Sequence, residues 1–484
     1  MKNAWNKSDY MAPRIINPVK IELVIIFSAL EELQKASQTL KTNMPWAKVK
    51  TFVDPMSIAM YQSEQASALL CDDTALNLLD VQSIRKNNPD LVVVLLSSIE
   101  AIHFSPTVLS LRKYPYTAKA DLIFAVNKKE CAPNRIIIPV VRSAEDHLNI
   151  EKYSKARRYI CLVVDDEPRW ISQFLPVLYD IIGQRAAVKI AHTYEETLFF
   201  LFGVEEESRI DRTKYRQNGH GDDVVCLITD IYFPKGPEMH SDSGTELIRL
   251  IERYYPRFPK IIASKASEAD DLKSTAFLMP KGDPGSLDTL RDYIHDFTGM
   301  GDFLMCDESG RELFRAKNIR DLRDALQMAE KDTEQGKSLL DILDASGEKD
   351  NFSTWLYMHG FKDLANRILP MRLGGKRMVS TLRGLFEKEI VRVDSLPLVI
   401  EDKKIFTLLD LLHALRTTPA AKIQEYSDND VFSTWLDRKG YPELADELRP
   451  IHGSGPRLEK LLADAVEKWI SIYANRGKKQ RILK

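Results

Sequence analysis

Residues 159–168 read YICLVVDDEP, and this stretch decides how the middle of the chain folds. An apolar, partly β-branched run stops abruptly at an acid pair, Asp165-Asp166. A short continuous apolar run suits a strand buried on both faces, as in a parallel sheet. The pattern recurs downstream. Val224–Thr229 ends in Asp230, Lys260–Ala263 ends in Ser264, and Phe277–Met279 ends near Lys281 in the turn MPKG. Val188–Ala191 is a further strand candidate. Between these runs lie helical stretches, Trp170–Ile182, Glu195–Phe202, Gly244–Tyr254 and Leu287–Phe297. Five strands alternating with helices predict a doubly wound parallel sheet, with its chemistry at the carboxyl ends of the strands. Gly203–Asp223 is polar and is expected to form a long loop.

Four strand ends therefore bring three carboxylates, one hydroxyl and one ammonium to one edge of one sheet. Three carboxylates repel one another and shift their pKa values upward unless a cation is present. A few hard oxygen ligands with room for water suit Mg²⁺. A carboxylate can attack phosphorus and become an acyl phosphate. Mg²⁺, Lys281 and the Ser264 hydroxyl can then each serve one oxygen of the transferring phosphoryl group. A DxD phosphatase arrangement is disfavoured, because the residue two after Asp230 is Tyr232.

These motifs, VVDDEP (163–168), LITDIYFP (227–234), IIASKAS (261–267) and FLMPKG (277–282), closely resemble those of response-regulator receiver domains. The resemblance implies a flavodoxin-like fold with Asp230 as phosphoacceptor. It implies Mg²⁺ held by Asp165, Asp166, Asp230 and the Tyr232 backbone carbonyl. Ser264 becomes the switch hydroxyl and Lys281 the salt-bridge partner. The implied donor is a histidine kinase or a histidine phosphotransfer protein. An aromatic switch residue usually stands three before the lysine. Leu278 is there in this chain, and Phe277 is the candidate one position earlier.

The unit before it, from Lys20, also resembles a receiver, but a depleted one. Its strand candidates are Ile21–Phe27, Ser67–Cys71, Leu91–Leu96 and Leu122–Val126, with Leu76–Arg85 helical between them. The first strand ends in Phe27-Ser28-Ala29, without an acid pair. Asp72, Ser97 and Lys128 form at most a partial site. Mg²⁺ would lack ligands there, so a pseudo-receiver used for packing or dimerisation is expected. Ala144–Lys155 is a charged helical stretch joining the two units.

From about Asp302 helical spacing takes over, and the chain repeats itself. DNFSTWLYMHGFKDLANRILP (350–370) returns as DVFSTWLDRKGYPELADELRP (430–450). Phe352, Trp355 and Leu356 share one helix face, as do Phe432, Trp435 and Leu436. Gly360 and Gly440 read as helix stops. Core packing is the expected role of both tryptophans. Phe314 and Leu322 are expected to pair in role with Phe406 and Leu412 at the opening of each copy. The order receiver, receiver, GRELFRAKNIRDLRDAL, FSTWL resembles the N-terminal regulatory region of receiver–phosphoenolpyruvate synthase fusion proteins. A second FSTWL copy then departs from that pattern, and no phosphohistidine swivelling-domain or nucleotide-grasp motif is found. The catalytic activity of those fusions is not carried over.

Composition bounds the rest. The 484 residues carry 68 Lys and Arg against 70 Asp and Glu, a net charge of −2, which excludes a globally basic nucleic-acid coat. No apolar run approaches the length of a membrane span. The opening MKNAWNKSDYMAPR lacks a signal-type apolar region, and Cys71, Cys131, Cys161, Cys226 and Cys306 form no CxxC pair. A cytoplasmic protein with reduced thiols is expected. The expected layout is a flexible segment 1–19, a pseudo-receiver 20–150, a receiver 157–300, helical modules 301–390 and 391–475, and a basic tail 476–484. The expected fold class is two α/β receivers followed by an all-α duplicated region. The expected function is a non-enzymatic response regulator that switches an unidentified output protein or a homo-oligomer. Neither a membrane nor nucleic acid is an expected partner. The alternative is a phosphorylation-independent scaffold that docks a phosphoenolpyruvate synthase-like enzyme through its helical repeats.

Overall fold

The computed structural model describes residues 21–44, 47–53, 66–98, 119–127, 136–152, 159–183, 185–256, 259–264, 276–283, 285–307, 311–451 and 453–482, without the side chains of Arg216 and 476–482. The chain divides into two compact units, with the break between residues 291 and 292.

The first unit holds two parallel five-stranded sheets. Strands β1 (Glu22–Ile26), β2 (Lys48–Phe52), β3 (Ala68–Cys71), β4 (Val92–Ser98) and β5 (Leu122–Val126) lie in the order β2-β1-β3-β4-β5. Strands β6 (Ile160–Val164), β7 (Ala187–Ala191), β8 (Val224–Thr229), β11 (Lys260–Ser264) and β12 (Phe277–Pro280) lie in the order β12-β11-β8-β6-β7. Ranked by position in its own domain, each sheet reads 2-1-3-4-5, the flavodoxin-like doubly wound order. Every pairing within the two sheets is parallel. The inner strands are fully buried, which explains their unbroken apolar runs. Strand β2 was not expected. Its sequence KVKTF is half exposed on a sheet edge, so it lacks the apolar run that marks the others.

Each sheet leaves two edge strands, and each domain covers one edge of the other with a helix. Helix α1 spans Leu30–Asn43, α2 Asp73–Leu78 and α3 Val81–Asn87. Helix α4 (Ile137–His147) continues as a π-helix over Leu148–Lys152 and leads toward β6. Its buried Asp146 accepts from the backbone N–H of Val188 on edge strand β7 and from the Tyr179 hydroxyl, both at 2.8 Å. In the other direction, Ser172 on helix α5 (Pro168–Ile182) accepts from the N–H of Ala125 on edge strand β5, at 2.9 Å. Arg142 lies over the Tyr179 ring at 4.0 Å and donates to the carbonyls of Tyr179 and Gly183 at the end of α5. An exposed strand edge is a template for wrong pairing. Here one edge of each sheet is sealed reciprocally, by buried hydrogen bonds that are costly to lose.

The segment 203–223 is not the open loop expected from its polarity. After helix α6 (Tyr194–Phe202) it forms a 3-10 turn at Glu207–Arg209, a short helix α7 (Tyr215–Asn218) and a second 3-10 turn at Gly221–Asp223. Tyr215 packs edge-on against Tyr254 and Tyr255, with Phe202 beside all three. Aromatic rings spaced too irregularly to show a period hold it down. Beyond β8 come a two-stranded hairpin, β9 (Phe233–Lys235) and β10 (Glu238–His240), and helix α8 (Ser243–Tyr254). Helix α9 covers Ser286–Thr298.

The second unit is helix-rich and duplicated. Its first copy contains β13 (Phe303–Cys306), β14 (Glu312–Ala316), α10 (Ile319–Ala329), α11 (Glu334–Glu348), α12 (Asn351–Met358), α13 (Lys362–Ile368) and α14 (Gly375–Ser395). Its second contains β15 (Leu398–Ile400), β16 (Lys403–Ile405), α15 (Leu408–Thr417), α16 (Ala420–Asp428), α17 (Val431–Lys439), α18 (Pro442–Leu448) and α19 (Gly455–Ile482). Each copy therefore opens on an antiparallel hairpin that its sequence did not advertise. Helix α14 runs through residue 390, so the break between copies falls at Leu396, not between 390 and 391. Asp350 and Asp430 begin the two FSTWL helices at φ 57° and 55°, and Gly360 and Gly440 follow those helices at φ 86°. The duplication thus extends to backbone conformation. The opening residues pair differently from expectation. Asn318 and Thr407 are the helix caps, which aligns Leu322 with Leu411, both fully buried, and Phe406 with Lys317.

Candidate functional site

In the 2-1-3-4-5 order the switch point lies between the first and third strands of the domain, here β6 and β8. Ligands of such sheets bind beyond the carboxyl ends at that point. Asp165 follows β6 and Asp230 follows β8, so the two carboxylates face each other across the switch point.

Backbone contacts set both. The Asp230 N–H donates to the Val164 carbonyl at 2.9 Å, and the Asp165 N–H to the Ala191 carbonyl at 3.1 Å. Lys281, just beyond β12, donates to Asp165 Oδ2 at 2.6 Å and also to Asp230 Oδ2. Its own N–H is bonded to the Ser264 carbonyl at 3.0 Å, which ties the lysine turn to the end of β11. Asp165, Ser264 and Lys281 are buried. The Lys281 and Asp165 side chains are each 1% exposed, against 13% for Asp230, which makes Asp230 the carboxylate of this pair that solvent reaches. The remaining Asp230 oxygen, Oδ1, accepts from the Ile231 N–H at 2.6 Å.

Electrostatics record crowded negative charge. Burial pushes the Asp165 carboxyl up to about 6. Lys281 pulls it back, and Asp230 raises it further. Burial and then Asp165 push Asp166 up to about 7. Burial works against the Lys281 ammonium, but Asp165 and Asp230 outweigh it and hold its pKa above the ordinary lysine value. The side-chain donors are all carboxylate oxygens, which fits a hard divalent cation. In this arrangement the ammonium stands between two of the carboxylates. Among the described residues no group of three or more His, Cys, Asp or Glu is disposed to hold a metal.

The expected residues meet unequally. Asp165, Asp230 and Lys281 are in direct contact. Asp166 is half-buried beside them, and Ser264 closes β11. Tyr232 lies in the bend before β9. Phe277 is half-buried on β12 opposite Ile261. The stretch 265–275 lies outside the described residues.

Three supporting residues carried no motif. Gly244, in the first turn of α8, lies so near Asp230 that a Cβ there would sit 2.0 Å from the Asp230 carbonyl oxygen. Trp170, buried in the first turn of α5, presents its ring 5.6 Å from the Lys281 ammonium. His192 places Nδ1 3.0 Å from the Asp165 carbonyl oxygen. A glycine next to a serine and a tryptophan in an amphipathic helix give no signal until the strands are assembled.

In the first domain the corresponding corner is self-satisfied. The backbone N–H and the hydroxyl of Ser28 both donate to Asp72 Oδ2 at 2.6 Å, and the Ala75 N–H donates to Oδ1 at 2.8 Å. Ser97 donates to Asp73 Oδ1 at 2.6 Å. A serine thus stands where the second domain has its acid pair and occupies the carboxylate. Lys128 lies outside the described residues.

The repeat aromatics divide. Phe352 stacks on Phe303, and fully buried Trp355 stacks on His359 and donates from Nε1 to the Gly301 carbonyl at 3.0 Å. Phe432 is buried against Tyr426. Trp435 is half-buried, and its Nε1 finds no hydrogen-bond partner among the described residues.

No family model and no curated protein matches the chain. Among solved structures, a two-component system response regulator/GGDEF domain protein is 15% identical over 57% of this chain and 97% of that one, with a TM-score of 0.28. NtrX from Brucella abortus in complex with ATP is 12% identical over 92% of this chain and 100% of that one, at 0.23. A sugar-binding protein from Salmonella typhimurium LT2 is 9% identical over 56% and 85%, at 0.18. At such scores the sheet order and the strand-end chemistry carry the fold assignment. No helix among the described residues is long and apolar enough to cross a membrane.

Proposed function

We propose that Asp230 accepts a phosphoryl group from a phosphohistidine donor, and that the chain is a response regulator without enzymatic output of its own. The observation that carries this reading is the Asp165–Lys281–Asp230 contact at a doubly wound switch point, with Asp230 its solvent-reachable carboxylate. In the transfer the donor N–P bond breaks, an Asp230 oxygen forms the new O–P bond, and the imidazole keeps the electron pair. Lys281 gives up its hold on Asp230 Oδ2 to meet a phosphoryl oxygen, and Ser264 hydrogen-bonds another. Asp165, Asp166, Asp230 and the Tyr232 carbonyl would hold Mg²⁺, which supplies neutralising charge for the transferring oxygens. The added charge then biases contacts with the pseudo-receiver or the repeats and so switches assembly or partner binding.

The test is the intact mass after incubation with acetyl phosphate and Mg²⁺. Wild type gains one phosphoryl group and Asp230→Ala does not. Equal labelling of both, or of neither, overturns the reading.

One observation favours a second reading, a scaffold independent of phosphate that docks a phosphoenolpyruvate synthase-like enzyme through the repeats. Lys281 already bridges two of the carboxylates, so these side chains hold one another in place through ion pairs. Partner binding unchanged in Asp230→Asn would support it.

A further inference from the structure

Lys281 holds the Asp165 and Asp230 carboxylates directly, whereas Asp166 takes its direction from the backbone. Two peptide planes flank Asp166, and each is held by one hydrogen bond. The plane between Asp166 and Glu167 is held through its N–H, which donates to Asp165 Oδ1 at 2.9 Å. The plane between Asp165 and Asp166 is held through its carbonyl, 3.0 Å from His192 Nδ1. A carbonyl oxygen only accepts, so Nδ1 carries the proton and donates. Peptide units are rigid and planar, so fixing both planes fixes the Cα between them and the direction in which its Cβ leaves.

His192 is itself anchored. It stands between the end of β7 and the first turn of α6. Its N–H donates to Glu196 Oε2 at 2.7 Å, and the Glu196 N–H donates to the capping Thr193 Oγ1 at 3.1 Å. The Asp165 N–H bonds the Ala191 carbonyl at 3.1 Å. The end of β7 therefore grips Asp165 twice. Ala191 takes its N–H, and the imidazole one residue later takes its carbonyl. The pairing of β6 with β7 ends at Val164 opposite Ala191, and the side chain of His192 carries it one step further, to the acid pair.

We propose that His192 is a positioning residue, whose imidazole sets the Asp165–Asp166 peptide and so aims the Asp166 carboxylate at a divalent cation. In this role it acts through the backbone and is not itself a ligand. The inference rests on the Mg²⁺ site of the phosphoacceptor reading. Removing an outer partner of a metal site typically costs 10–100-fold in affinity, and this one works through a single peptide, so a loss of about tenfold is expected.

The test is calorimetric titration of the full chain with Mg²⁺, run beside acetyl phosphate labelling. His192→Ala should weaken Mg²⁺ binding about tenfold and raise the Mg²⁺ concentration for half-maximal labelling equally, with the rate at saturation within about twofold of wild type. Asparagine presents its Nδ2 where the imidazole presents Nδ1, so His192→Asn should bind Mg²⁺ within about twofold of wild type. His192→Gln, whose donor lies one bond further out, should behave like His192→Ala. If the alanine variant does not fold, the asparagine and glutamine variants decide the question. An alanine variant that binds Mg²⁺ as tightly as wild type, or asparagine and glutamine variants that bind it alike, overturns the proposal. A wild type that binds Mg²⁺ without being labelled overturns the phosphoacceptor reading alone, and one that binds no Mg²⁺ overturns both.

Discussion

Asp166→Asn is expected to stabilise the protein in the absence of divalent cations, and only above mildly acidic pH. Asp166 titrates at about 7 in the folded chain against an ordinary 3.8, with burial as the first cause and Asp165 as the second. A carboxyl whose folded pKa is raised binds more protons folded than unfolded between those values. Stability is therefore highest below the unfolded pKa and falls as pH rises, until the folded pKa is passed. At about 1.4 kcal/mol per unit the full cost at pH 8 approaches ~4 kcal/mol, and solvent at the half-buried site reduces it to about 2 kcal/mol. Asparagine cannot ionise and escapes that cost. At roughly 2–4 °C per kcal/mol for a unit of this size, the variant should melt about 4–8 °C above wild type at pH 8 in chelator. The gap should vanish near pH 3.5. Differential scanning calorimetry from pH 3.5 to 8 reads it directly. Added Mg²⁺ should raise the wild-type midpoint and leave the variant nearly unmoved. A variant no more stable than wild type at pH 8, or a gap independent of pH, would refute the claim that uncompensated negative charge is stored at this edge.

Other perturbations follow from single contacts. Gly244→Ala forces a methyl against the Asp230 carbonyl, and it should reduce acetyl phosphate labelling at least tenfold while costing about 2 kcal/mol in denaturant unfolding. Asp146→Ala leaves the Val188 N–H and the Tyr179 hydroxyl unsatisfied between the two α/β domains. The expected loss is about 2–3 kcal/mol, with hydrogen exchange accelerating first along β7. Asp350→Gly removes a left-handed non-glycine residue. It should stabilise the helical unit by up to ~1 kcal/mol in urea titration, despite losing the exposed contact to Arg372.

Much of this molecule is written locally. Buried strands announce themselves as uninterrupted apolar runs because both faces are covered by helices. That is why β4, β5, β6 and β8 lie where the periodicity puts them, within a residue or two at their ends. The polar residues at the ends of β6, β8, β11 and β12, Asp165, Asp230, Ser264 and Lys281, stand out because a polar side chain breaks each apolar run. Elements whose stability comes from distant partners left no such mark. Edge strand β2 is half solvent-exposed. The stretch 203–223 is held by rings from α6 and α8. The repeat hairpins have strands of only three to five residues.

The linear order of residues settled which side chains could do chemistry, since an acid pair, an aspartate, a hydroxyl and a lysine at strand ends depend only on local pattern. Tertiary packing alone decided that Lys281 would sit between Asp165 and Asp230, that Asp230 would keep contact with solvent, and that each α/β domain would seal one edge of the other's sheet. Those outcomes depend on distances between segments 51 and 116 positions apart or in separate domains, and such distances exist only after the backbone has closed on itself.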